Sequence, residues 1–193
     1  MVSGNCLAEK LTPVDFIGQP FMNLREGVVQ SCGVRFVGYE TPLNLSNPKE
    51  NLWFSDSSFM LDRSGVGMVK AILSKNTIGG VTKNQKPDIQ TFKTFWIKVA
   101  GADATKPIKG NAIEGETKGS KIYATDVIGI MKIYTAFVSN EPIQIGYKFD
   151  DDLNDFALFG KISLSDDEFK QVNSCMNELI EKIQHDADSL KHK

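Results

Sequence analysis

Histidine is nearly absent from this sequence, and that absence removes a large class of chemistry. Only His185 and His192 occur among its 193 residues, both in the closing stretch HDADSLKHK. A Ser–His or Cys–His nucleophilic site needs an imidazole held rigidly by a third group. Residues 186–193 read as a frayed, exposed tail, which holds nothing rigidly. No Cys or His stands close by to complete a metal set around the two imidazoles.

Other absences narrow the field further. No apolar run reaches the ~18 residues that a membrane-crossing helix needs. Neither charge sign dominates, with 22 basic and 24 acidic residues giving a net charge of −2. Phosphate binding calls for a clustered basic surface, so no nucleic-acid partner is expected. Nor is there a polybasic patch for anionic lipid. The stretch GNAIEGETKGSK (110–121) carries Glu116-Thr117 where a P-loop has Lys-Ser/Thr. The GVG at 65–67 lacks the third glycine and the following helix of a dinucleotide fingerprint. Both read as turns.

Cysteine is scarce, with Cys6, Cys32 and Cys175 only. The opening MVSGNCLAEKLTP has small and apolar residues before Glu9, and Leu7-Ala8 suit the tail of a cleaved signal, without the apolar centre a signal needs. Residues 1–27 contain Pro13, Gly18 and Pro20 and show no period. They read as an irregular N-terminal segment, a signal or tether remnant, with Cys6 a candidate for lipid attachment. Setting Cys6 aside leaves Cys32 and Cys175 as a candidate disulfide, which fits an oxidising compartment. The resulting expectation is a periplasmic or secreted chain, with a cytoplasmic one as the alternative.

What is present is a normal apolar content of 41%, enough for a real core. Residues 28–185 read as one β-rich domain. VVQSCGVRFVGYE (28–40) places Cys32, Val34 and Phe36 on one face by the two-residue period. LWFSDSSFMLDRSGVGMVKAILSKN (52–76) gives one or two strands, interrupted near Arg63-Ser64-Gly65. TFKTFWIKVAG (91–101) alternates Phe95, Ile97 and Val99 against Trp96 and Lys98. IYATDVIGIMKIYTAFVSN (122–140), β-branched and aromatic, reads as a further strand bent at Gly129. PIQIGYKF (142–149) and FALFGKISL (156–164) alternate cleanly and suggest a hairpin. A long polar loop, 102–121, lies between the strand patterns, and loops of that length are usually functional.

The last third opens a helix. Ser165 and Glu168 have capping-box spacing, and Leu164 and Phe169 the spacing of a hydrophobic staple. Phe169, Val172, Met176, Leu179 and Ile183 then form one apolar stripe with Cys175 beside it. The expected fold is mainly β: an antiparallel sandwich or open barrel of about seven to nine strands, closed by one C-terminal helix over about 165–185.

Candidate chemistry is thin. Asp150, Asp152 and Asn154 stand at alternate positions, as the first ligands of a calcium loop do. The sixth position is Asp155 where glycine belongs, and the twelfth is Lys161 where a bidentate Glu belongs. The segment therefore reads first as an acidic hairpin tip, with Ca²⁺ as the one metal to consider and no other cofactor. Asp126 is a carboxylate inside an apolar pattern, a candidate acid or base if buried in a strand, and a strand end if not. Trp53 and Trp96 are candidate anchors on a binding face, or core residues. Asn44 starts an Asn-Leu-Ser glycosylation acceptor.

These residues favour a non-enzymatic exported interaction protein that grips a protein partner through its loops and a sheet face. An immunity or inhibitor protein is one concrete form. Two alternatives remain: a carrier with an apolar pocket in its β core, and a carboxylate-based hydrolase.

Overall fold

The computed structural model describes residues 10–40, 46–47, 49–149 and 156–191. The chain is mainly β, as its alternation predicts, with a helix at its C-terminal end. Eleven strands occur in chain order: β1 (Lys10–Arg25), β2 (Val28–Glu40), β3 (Asn51–Asp62), β4 (Gly67–Thr77), β5 (Asp88–Gln90), β6 (Thr94–Val99), β7 (Ile113–Glu114), β8 (Lys121–Thr125), β9 (Ile143–Lys148), β10 (Phe156–Gly160) and β11 (Ile162–Ser163). Three helices join them: α1 (Ile78–Thr82), α2 (Val127–Val138) and α3 (Asp166–Lys191). The main strand order is β6-β9-β10-β1-β2-β3-β4-β8-β7, with β11 against β1 and β5 against β4. This is one open sheet and not a closed barrel.

β1 corrects the expectation of an irregular N-terminal segment over 1–27. Its first residues, Lys10 to Pro13, pair with β10 in parallel. From Val14 onward it pairs antiparallel with β2. The strand thus passes from one layer to another, and among the described residues its pairs with β10 and β11 are the parallel ones. The two prolines that obscured it sit where no ladder partner needs their N–H. Phe16 donates to Lys161 O, so even-numbered residues direct their N–H away from β2. Pro20 lies on that side, beyond the last β11 pair at Ile17↔Ser163. Pro13 faces the β2 side, one residue before the first β2 pair, Val14↔Glu40. Proline is tolerated at such unpaired positions. The β1–β2 turn places Glu26 and Gly27 at φ 53° and 77°, the positive pair that a two-residue hairpin loop requires.

Because β1 changes partner, β6, β9 and β10 fold over the inner face of β3, β4 and β8. Phe95 meets Tyr123 with ring centroids 4.8 Å apart, and Trp53 meets Phe156 at 4.6 Å. Between the layers Phe16, Phe36, Phe59, Phe92, Phe95 and Tyr147 are fully buried. The interior is filled by side chains.

α2 replaces the strand expected across 122–140. The chain leaves β8 at Thr125, and the Asp126 carboxylate accepts the Gly129 N–H at 2.7 Å, capping a helix. Ile130, Ile133, Tyr134 and Phe137 recur at three- and four-residue steps and are all buried. α3 starts as its sequence predicts. Ser165 N donates to the Glu168 carboxylate at 2.9 Å, and Glu168 N reaches back to Ser165 Oγ. Ser165 Oγ also donates to that carboxylate at 2.7 Å, and this bond, with the backbone one, holds the Glu168 carboxyl below its ordinary pKa. Val172, Cys175, Met176 and Leu179 are buried against the sheet. The helix runs on to Lys191, past the expected end near 185, and residues 186–189 are helical and exposed. This stretch contains no proline or glycine, and its residues are adequate helix formers. Cys32 on β2 and Cys175 on α3 form a disulfide, with Cα atoms 5.9 Å apart.

Candidate functional site

Most residues singled out from the sequence prove to hold the fold together. Trp53 closes the end between the two layers. It stacks on Phe156, lies 6.2 Å from Phe149, and carries Lys75 Nζ 4.1 Å above its ring. Trp96 covers Gly146, its cross-strand partner, where an added Cβ would fall 2.0 Å from the indole. Asp126 is exposed and occupied as a helix cap, so it is no buried acid within a strand. Asp150, Asp152 and Asn154 lie outside the described residues, as do Asn44 and Cys6. Among the described residues, no group of three or more His, Cys, Asp or Glu is placed to hold a metal ion. His185 is exposed on the outer end of α3, 3.5 Å from Asp186.

Two buried phenols take part in polar clusters between the layers. Tyr147 OH is 2.6 Å from Ser55 Oγ and 3.4 Å from Ser57 Oγ. Burial raises its pKa to about 12. Tyr123, also raised to about 12 by burial, shares a hydrogen bond with Thr105 Oγ1 at 2.7 Å. Thr105 in turn accepts the Ile97 N–H through its hydroxyl and donates its own N–H to Ile97 O. The long 102–121 loop therefore covers the outer edge of β6 and is anchored at its start. Covered edges resist pairing with other chains.

The inner face of β1–β4 is covered by the second layer, α2 and α3. The outer face has no such cover among the described elements. Alternation places a row of side chains there from each pair of facing positions. Ile17, Val37, Asp56 and Ile72 form one row, and Gln19, Arg35, Ser58, Lys70 and Ile122 the next. Phe21, Met60 and Met68 carry the third, with Gly33 between. Ile17 is 58% exposed and Ile113, on the β7–β8 hairpin, 66%. That hairpin stands beside the sheet and bounds a groove of about 840 Å³, floored by Met60, Lys70, Ile72 and Ile122. Within it Arg35 donates two bonds to Asp56, at 2.8 and 2.6 Å. The Asp56 hydrogen bond and charge raise the Arg35 pKa further above its ordinary value.

This groove was only partly legible. Its loop is marked by length, but its floor consists of the residues that alternate against the core positions, which pattern alone assigns to solvent. No helix among the described residues is long and apolar enough to cross a membrane. No protein-family model, curated protein or solved structure matches this chain.

Proposed function

We propose that this protein is a binding module, not an enzyme, and that it engages a protein partner on the outer face of its central sheet. The observation that carries this reading is the groove under the 113–117 hairpin. It joins exposed Phe21 and Ile113 to half-buried Ile72, Met60 and Ile122 on the sheet. Exposed apolar side chains clustered with polar groups on one sheet face mark an interaction site. The three-strand floor is held by continuous ladders, so it is preorganised and loses little entropy on binding. The Cys32–Cys175 bridge supports an oxidising compartment as the place of action, periplasmic or extracellular.

A photo-crosslinking side chain at Ile113, compared with one at exposed Lys132 on α2, tests the reading in the native host. The expected result is a discrete protein adduct from position 113 and none from 132. Equal labelling at both positions, or none at either, would count against it.

A further inference from the structure

The groove's charges point to the kind of segment that fills it, an inference that rests on the partner-docking reading above. Five ionised groups line the groove: Arg35, Asp56, Lys70, Glu114 and Glu116. Arg35 is satisfied by Asp56, and Lys121 pairs with Glu114 at 2.8 Å. Lys70 on the floor and Glu116 on the rim have no ion-pair partner among the described residues. The two are not equivalent. Glu116 is exposed, where solvent weakens its field, while Lys70 is half-buried against the sheet. Ser58 lies between Lys70 and Arg35, paired across the ladder with each, and is only 7% exposed. Its hydroxyl bonds to no other described residue and its oxygen is open to water, not buried.

The row Arg35–Ser58–Lys70 is thus a shallow seat with an unused hydroxyl, an unused ammonium, and the guanidinium donors that Asp56 leaves free. A carboxylate fits it. The rows on either side are apolar at Ile72 and at Met60 and Met68, and successive rows on one sheet face lie about 7 Å apart, two residues of strand. An extended chain laid along the strands presents alternate side chains at that same repeat.

We infer that the groove takes an extended segment of a protein partner with the pattern apolar–x–Asp/Glu–x–apolar, the acidic side chain seated over Ser58 and bound by Lys70. The charge is read at the floor, and the flanking apolar residues meet Ile72 on one side and Met60 on the other.

The test uses the full, disulfide-bonded chain and three capped peptides: acetyl-Ile-Thr-Glu-Thr-Val-amide and its Gln and Lys counterparts at the third position. Methyl chemical shifts of Ile72 and Ile122 report binding in the groove. The Glu peptide is expected to bind at least about tenfold more tightly than the Gln peptide, a difference that high salt reduces. Lys70→Met should remove the preference, and Lys70→Glu should transfer it to the Lys peptide, with melting temperature confirming that both variants fold. Equal binding of all three peptides at Ile72 and Ile122 would overturn the charge assignment and leave protein docking intact. No methyl response to any peptide would overturn the inference, and a missing adduct at Ile113 would then remove the docking reading as well.

Discussion

At Asp126 one carboxylate separates two readings of the same nineteen residues. IYATDVIGIMKIYTAFVSN is rich in strand formers, yet Ile130, Ile133, Tyr134 and Phe137 repeat at helical steps. The helix prevails because Asp126 satisfies the Gly129 N–H and the stripe finds a core. Asp126→Ala should therefore cost about 1 kcal/mol in urea unfolding, while Asp126→Asn, an equally good cap, should stay within a few tenths. A large loss on Asp126→Asn would show that charge, not capping, matters there. Other single residues were readable at once. Ser165 and Glu168 form the capping box their spacing implies, and Cys32 meets Cys175 because one lies on an inward strand position and the other beside an apolar helix stripe.

Among elements, the strands with clean alternation were legible and β1 was not. β6 and β9 bury every second residue, as their sequences announce. β1 hides its period because Pro13, Gly18 and Pro20 are ordinary signs of loops, and only the pairing pattern shows that neither proline lacks a bond. α3 depends on a tether that local sequence does not supply. Its residues 184–189 are exposed, so the buried stripe and the disulfide hold it down. The bridge closes a separation of 143 residues, which in the chain-entropy account stabilises by about 3–5 kcal/mol. Reduction, or the double variant Cys32→Ser/Cys175→Ser, should lower the melting temperature by roughly 6–20 °C for a chain of this size. Faster amide exchange should appear first along α3, and an unchanged melt would show that packing alone carries the helix.

For the whole molecule, the joining of two layers is the feature that pattern reading does not reach. Alternation assigns each strand an inner and an outer face, but not which layer will lie opposite. Tyr147 marks the answer by reaching from β9 to Ser55 and Ser57 on β3. Removing that hydroxyl by Tyr147→Phe should cost about 1 kcal/mol at neutral pH, since the two serines still bond each other at 2.9 Å. The phenol's pKa is about 12 in the folded chain and about 10 when unfolded, so the folded state favours the neutral form. That preference is fully present below about pH 10 and is lost as pH rises toward 12. Denaturant titrations at pH 8 and pH 11 should show the parent losing more stability than Tyr147→Phe over that interval. Equal losses would place the alkaline sensitivity elsewhere, with Tyr123 the next group to examine.

The partner exchange within β1 also fixes an order of events. Lys10 pairs with Phe156, and Phe16 with Ile162, so β1 waits for segments made much later along the chain. Until those arrive, the N-terminal half of the sheet has one long rim with nothing to dock on it, a slow closure that exposes the nascent chain to aggregation. β1 therefore completes its pairing only once β10 and β11 have been made, so its edge stays open until late in folding.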